Sequence, residues 1–120
     1  QSVSCESVKK HYKEMQKVME IQLQFYKDIG VRSKNRIHLL HRMETTYHVI
    51  MENFLKLSRY RDVSAETLTR DTDLMVKNMV PQLYEELGKR KYVRLLRKAN
   101  YKDTKLVNTI LRVRDFVRKQ

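Results

Sequence analysis

Residues 34 to 57 read KNRIHLLHRMETTYHVIMENFLKL. Wound as an α-helix at about 100° per residue, Ile37, Leu39, Leu40, Met43, Tyr47, Ile50, Met51, Phe54, Leu55 and Leu57 spread over an arc of roughly 160°. Val49 falls outside even that arc. A helix on the surface of a small protein carries a narrower apolar stripe, so this one needs neighbours on at least two sides. Any fold for the chain has to sheath it, either with its own helices or with those of a partner.

The flanking sequence supplies helices for the purpose. With 2 glycines and 1 proline in 120 residues, little interrupts helix formation. Residues 4 to 28 place Cys5, Val8, Tyr12, Met15, Met19, Leu23 and Tyr26 at steps of three and four, hence on one face. Ser4 is a fitting cap and Gly30 a fitting stop. Phe25 and Ile29 fall off this stripe, which leaves room for a bend after residue 20. Ser33 is placed to open the second helix. The polar stretch SRYRDVSAETLTRDT, residues 58 to 72, reads as a long connection with one or two helical turns, capped at Ser64. Val76, Met79, Val80, Leu83 and Leu87 continue a stripe through Pro81, which predicts a kink or a fresh helix with Pro81 in its first turn, ended by Gly88.

Residues 90 to 99 set Tyr92, Leu95, Leu96 and Ala99 against Arg90, Arg94, Arg97 and Lys98. ANYKD is a turn, with Asp103 as the next cap. The last helix has Leu106, Ile110, Val113 and Val117 in line, broadened by Phe116, while Val107 and Leu111 form a second apolar edge. The expectation is an all-α domain over residues 1–120, with five to six helices and no strand. A chain of this length buries roughly 65% of its unfolded surface, enough for one modest core.

The formal net charge is +12, which predicts attraction to polyanions such as sulfated glycans, nucleic acid, anionic lipid or an acidic receptor. The charge is densest in KRKYVRLLRK, where Lys89, Arg90, Lys91, Arg94, Arg97 and Lys98 occur without an acid. These six are the candidate polyanion site, equally readable as a solvated basic face. Tyr92 is the only aromatic residue among them, so the stacking platforms of single-strand binders are missing. No apolar run approaches the length of about 18 residues that a membrane helix needs, and no membrane insertion is expected.

Catalytic chemistry finds little footing. Gly30 and Gly88 stand alone, so there is no phosphate-cradling loop. His41, Glu44 and His48 share one helix edge, but they read as a solvated polar edge rather than a metal site, which needs three or four converging ligands. The lone Cys5 cannot form an internal disulfide. No enzyme activity, metal or cofactor is expected. The chain opens on Gln1 rather than Met, which fits a trimmed, secreted form.

Three stretches carry a resemblance. VKKHY at residues 8–12, NRIHLLHRMETTYHVIMENF at 35–54 and YVRLLRKANYKD at 92–103 together resemble the interferon gamma family, loosely over most of the chain. The resemblance implies a secreted, helical cytokine that binds and dimerises a cell-surface receptor in immune and antiviral signalling. It also implies an interleaved two-fold homodimer in which the last two helices of each chain enclose the other's long central helix. On that basis Tyr47, Ile50, Phe54, Leu106, Ile110 and Val113 are candidate dimer core. The first connection, here Glu20 to Lys34, would meet the receptor, with Gln22, Gln24, Lys27, Asp28, Arg32 and Lys34 as candidates. The family's long irregular loop has no counterpart in this segment, since the apolar stripe runs on to Tyr26. Two rivals stand beside this reading: a monomeric, basic helical protein that binds an anionic coat, as sperm lysins do, and a helical nucleic-acid-binding module.

Overall fold

The computed structural model describes residues 5–59 and 64–119, with side-chain surroundings given from residue 10 onward. Six α-helices account for nearly all of them, and no strand occurs among the described residues. They are α1 (Cys5–Asp28), α2 (Arg36–Lys56), α3 (Ala65–Met79), α4 (Pro81–Leu87), α5 (Lys91–Lys98) and α6 (Thr104–Lys119). Short 3-10 turns lie at Gly30–Arg32 and Leu57–Arg59. The chain divides into two compact units, residues 1–50 and 51–120, with the boundary inside α2.

In the first unit, α1 is one helix that runs through to Asp28. Its buried face is the expected stripe, with Met19, Leu23 and Tyr26 at 0–3% exposure, while Phe25 and Ile29 point outward. Ser4 and the side chains of Cys5 and Val8 lie outside the described residues. The following turn packs back on α1. Gly30 makes this close return possible: a Cβ there would stand 2.8 Å from Leu39 Cδ1 and 3.1 Å from Tyr26 Cδ1. Ser33 Oγ accepts from the Asn35 amide, and α2 opens three residues after Ser33. Met43, Tyr47 and Ile50 are buried along α2, and Ile37 and Val49 are exposed.

In the second unit the expected connection is helical from residue 65 onward. Ser64 does cap, its Oγ accepting from the Thr67 amide at 3.0 Å, but the helix it opens is the full-length α3. The pattern hid this because α3 buries small polar groups: Thr69, Thr72 and Asp73 are all fully buried. Thr69 satisfies its hydroxyl on the carbonyl of Ala65. At Val80 the backbone leaves the helical conformation, and Pro81 opens a fresh helix, α4, which packs on α3. Gly88 closes α4, its amide bonding to Glu85 O. Helix α6 packs on α5 and touches the Leu57–Arg59 turn, which also meets α3. The core here is Met51, Phe54, Leu55, Leu57, Val76, Val80, Leu83, Leu87, Val93, Leu96, Val107 and Leu111, with Tyr92 and Tyr101 beside them.

Candidate binding surfaces

Helix α5 carries the densest positive charge. Lys89, Arg90, Lys91, Arg94 and Lys98 are exposed. Lys89 is partly neutralised by Glu86 at 3.1 Å. Arg94 folds back onto the carbonyl of Lys89 at 2.7 Å, which fixes its guanidinium at the helix start. Arg97 departs from the predicted patch. Its side chain is 16% exposed and makes a two-pronged contact with Asp73, Nε to Oδ2 at 2.8 Å and Nη2 to Oδ1 at 2.9 Å. The basic face is therefore five cations, with Arg97 committed to the interior.

Asp73 is the centre of a buried polar cluster that no spacing or motif in the chain announces. Its carboxylate is fully buried and also accepts from the Tyr101 hydroxyl. The Arg97 guanidinium lies over the Tyr84 ring, 3.5 Å from its centroid, and Lys77 approaches the same ring at 5.5 Å. The turn after α5 serves the cluster. Asn100 and Tyr101 adopt positive φ of 54° and 64°, and the Tyr101 amide bonds to Leu96 O at 2.7 Å. Asn tolerates the left-handed region, whereas Tyr pays roughly 1–2 kcal/mol there. The bond from its hydroxyl to a buried carboxylate offsets that cost. Burial, then the hydrogen bond to Asp73, pushes the Tyr101 phenol well above its ordinary range. Tyr92 is pushed the same way by burial and by the charge of Glu52. Glu52 itself meets Arg114 at 3.3 Å.

Of the two apolar edges of α6, the shorter one is buried. Val107 and Leu111, with Thr104 and Asn108, face the core. The longer stripe faces water: Leu106, Val113, Phe116 and Val117 are 55–64% exposed, and Ile110 is half-buried. Of the candidate dimer core, Tyr47, Ile50 and Phe54 are buried in the single chain, while Leu106 and Val113 are open.

The candidate receptor residues lie at the end of α1 and in the turn beyond it. Gln24 Nε2 donates to both oxygens of Asp28, at 3.0 Å each. Arg32 donates to the Asp28 carbonyl, so these three form one exposed polar knot. Lys27 and Lys34 are exposed. Gln22 stands apart, half-buried, with its Oε1 enclosed and unpaired. On α2, His41 Nδ1 meets Glu44 at 3.6 Å, and the His48 ring packs edge-on to Tyr47. No group of three metal-binding side chains converges among the described residues. No helix among them is long and apolar enough to cross a membrane.

Comparison of the chain with known protein families, with curated proteins and with solved structures finds no match.

Proposed function

We propose that this chain is a secreted, interferon-gamma-like cytokine that acts by binding, as a two-fold dimer that draws cell-surface receptor chains together. The outer face of α6 carries this reading. Leu106, Val113, Phe116 and Val117 form one stripe in water, and a second copy is the partner that the sequence resemblance supplies for it. The polar knot around Asp28, with Lys27 and Lys34 beside it, is the receptor-facing region on this reading, and signalling in immune and antiviral defence follows by resemblance. The five exposed cations at residues 89–98 suit retention on sulfated glycosaminoglycan. The reaction chemistry is none: the work is recognition.

Sedimentation equilibrium with reductant at moderate salt tests the dimer. The expected result is a dimer for the parent chain and a folded monomer for Val113→Lys, since a lysine in the middle of the stripe cannot be buried unpaired. A parent chain that stays a folded monomer up to high micromolar concentration overturns the dimer. Saturable binding of the labelled protein to cells, with cross-linked pairs of receptor chains, is the second expected result.

One observation favours a second reading. Met43, Tyr47, Ile50, Met51, Phe54 and Leu55 are buried with a single copy present, so the broad arc of α2 finds its cover within the chain. A monomeric basic protein that binds an anionic coat fits that arrangement. Tight heparin binding by a folded monomer, without saturable receptor binding, selects this alternative.

A further inference from the structure

Helix α1 carries a second apolar stripe, distinct from the one it buries. Val18, Ile21, Phe25 and Ile29 follow at steps of three, four and four, so they share one face, and they are 48–59% exposed. Beside this stripe lies a slot of about 350 Å³, whose far wall is Leu39, Arg42 and Met43 of α2. Stripe and slot together make a groove along the outside of α1. Helix α6 has an element of matching length. Leu106, Ile110, Val113 and Val117 follow at steps of four, three and four, over the same eleven-residue rise as Val18 to Ile29, about 17 Å of helix. Leu106, Val113 and Val117 are as open in the single chain as the α1 stripe is.

Charge selects how such stripes pair. Within α6 five cations stand against the single acid Asp115, so two copies of α6 laid on each other set like charges together, which is unfavourable. Residues 18–29 are the reverse of the chain as a whole: the acids Glu20 and Asp28 outnumber the single cation Lys27. The Asp28 carboxylate is exposed and accepts from the neutral Gln24 amide, with no cation as its partner among the described residues. The seat that suits a cationic helix is therefore α1 rather than a second α6. Area points the same way. With four side chains about half exposed on each stripe, a chain that uses both commits roughly 800 Å², which is what each partner of a standard interface contributes.

We propose that the α6 stripe of one chain seats antiparallel on the outer stripe of α1 of a second copy. The antiparallel sense opposes the two helix dipoles. It brings Ile29 to Leu106, Phe25 to Ile110, Ile21 to Val113 and Val18 to Val117 of the other chain, and it sets Asp28 within about one turn of Lys105. Each chain has one stripe of each kind, so a pair that makes the contact twice closes on itself. The inference rests on the dimer proposed above and names the surface that receives α6. That surface is not the central helix of the other chain, because the broad arc of α2 is already buried within its own.

Sedimentation equilibrium and cysteine cross-linking of the full chain, in a Cys5→Ser background, test the seat. Phe25→Lys raises the dimer dissociation constant about tenfold or more, as Val113→Lys does, because each puts an unpaired lysine into the contact. Both positions are open in the single chain, so the circular dichroism of the variants stays that of the parent. Asp28→Lys and Lys105→Asp each weaken the dimer about threefold, and the double variant regains most of the loss. Under oxidant, a mixture of Ile29→Cys and Leu106→Cys chains forms a disulfide-linked heterodimer, whereas Ile29→Cys with Val117→Cys does not. A dimeric parent whose F25K variant stays equally dimeric overturns the seat and leaves the dimer standing. A monomeric parent overturns both, and a dimer that passes these tests without binding any receptor leaves the seat standing and removes the cytokine. Linked dimers of L106C alone show α6 on α6 and overturn the pairing. A disulfide within one chain of the I29C/L106C double variant, in place of a linked dimer, puts α6 on its own α1 and overturns the second copy.

Discussion

Breaking the Asp73–Arg97 pair offers the most demanding prediction. Asp73 has no solvent contact, and Arg97 retains 16% side-chain exposure. In Arg97→Met the carboxylate keeps the Tyr101 hydroxyl but loses both guanidinium bonds, and it must either stay charged in the interior or take up a proton. In Asp73→Asn a cation stays largely buried with a neutral amide in place of its counter-ion. Removing one member of a buried pair costs about 3–5 kcal/mol, because the remaining charge is uncompensated. A domain of this kind has roughly 5–15 kcal/mol in total, so either change removes a large part of its stability. With a urea slope of about 1–3 kcal/mol/M, the midpoint falls by roughly 1–5 M. The double variant D73N/R97M costs less than the sum of the singles, with a coupling of about 2–3 kcal/mol. The assay is urea unfolding followed by circular dichroism at fixed pH. Single-variant losses below about 1 kcal/mol, or strict additivity, refute the reasoning and place the pair effectively in solvent.

Two further predictions follow from the same unit. Tyr92 and Tyr101 have raised pKa values in the fold, so between pH 10 and those values the unfolded chain releases protons that the folded chain keeps. Stability is therefore full below pH 10 and declines as pH rises above it. Tyr92→Phe flattens the decline, and an alkaline unfolding curve with the same slope in both proteins argues against the burial. Ser64→Ala removes the cap bond to Thr67 and costs about 1 kcal/mol, read from the urea midpoint, whereas Ser64→Gly costs only a few tenths.

Much of the fold was legible because helices are written in local spacing. The stripes of α1, α2 and α5, the stop at Gly30, the restart at Pro81 and the cap at Ser64 each depend on residues within a turn or two of one another. Residues 65–72 were misread as connection because their buried side chains are threonine and aspartate. A stripe of hydroxyls and a carboxylate has no hydrophobic period to detect. The slot beside Arg42 was invisible for another reason. Phe25 reads as an off-stripe residue, and only the return of the chain through Gly30 brings Leu39 and Met43 opposite it.

The sequence by itself determined that this is a helical chain, strongly cationic, with a central helix too apolar to stand alone. Tertiary structure decided which groups are spent internally and which remain for partners. Arg97 is chemically indistinguishable from Arg94 along the chain, yet one closes a pair with an aspartate 24 positions away and the other stays at the surface. Both edges of α6 are apolar, and packing against α5 and the Leu57–Arg59 turn selected Val107 and Leu111, which left Leu106, Val113, Phe116 and Val117 to water. The physical reason is that helix formation is settled by neighbours in sequence. Charge pairing and the choice of a buried face are settled by neighbours in space, which only the folded chain brings together.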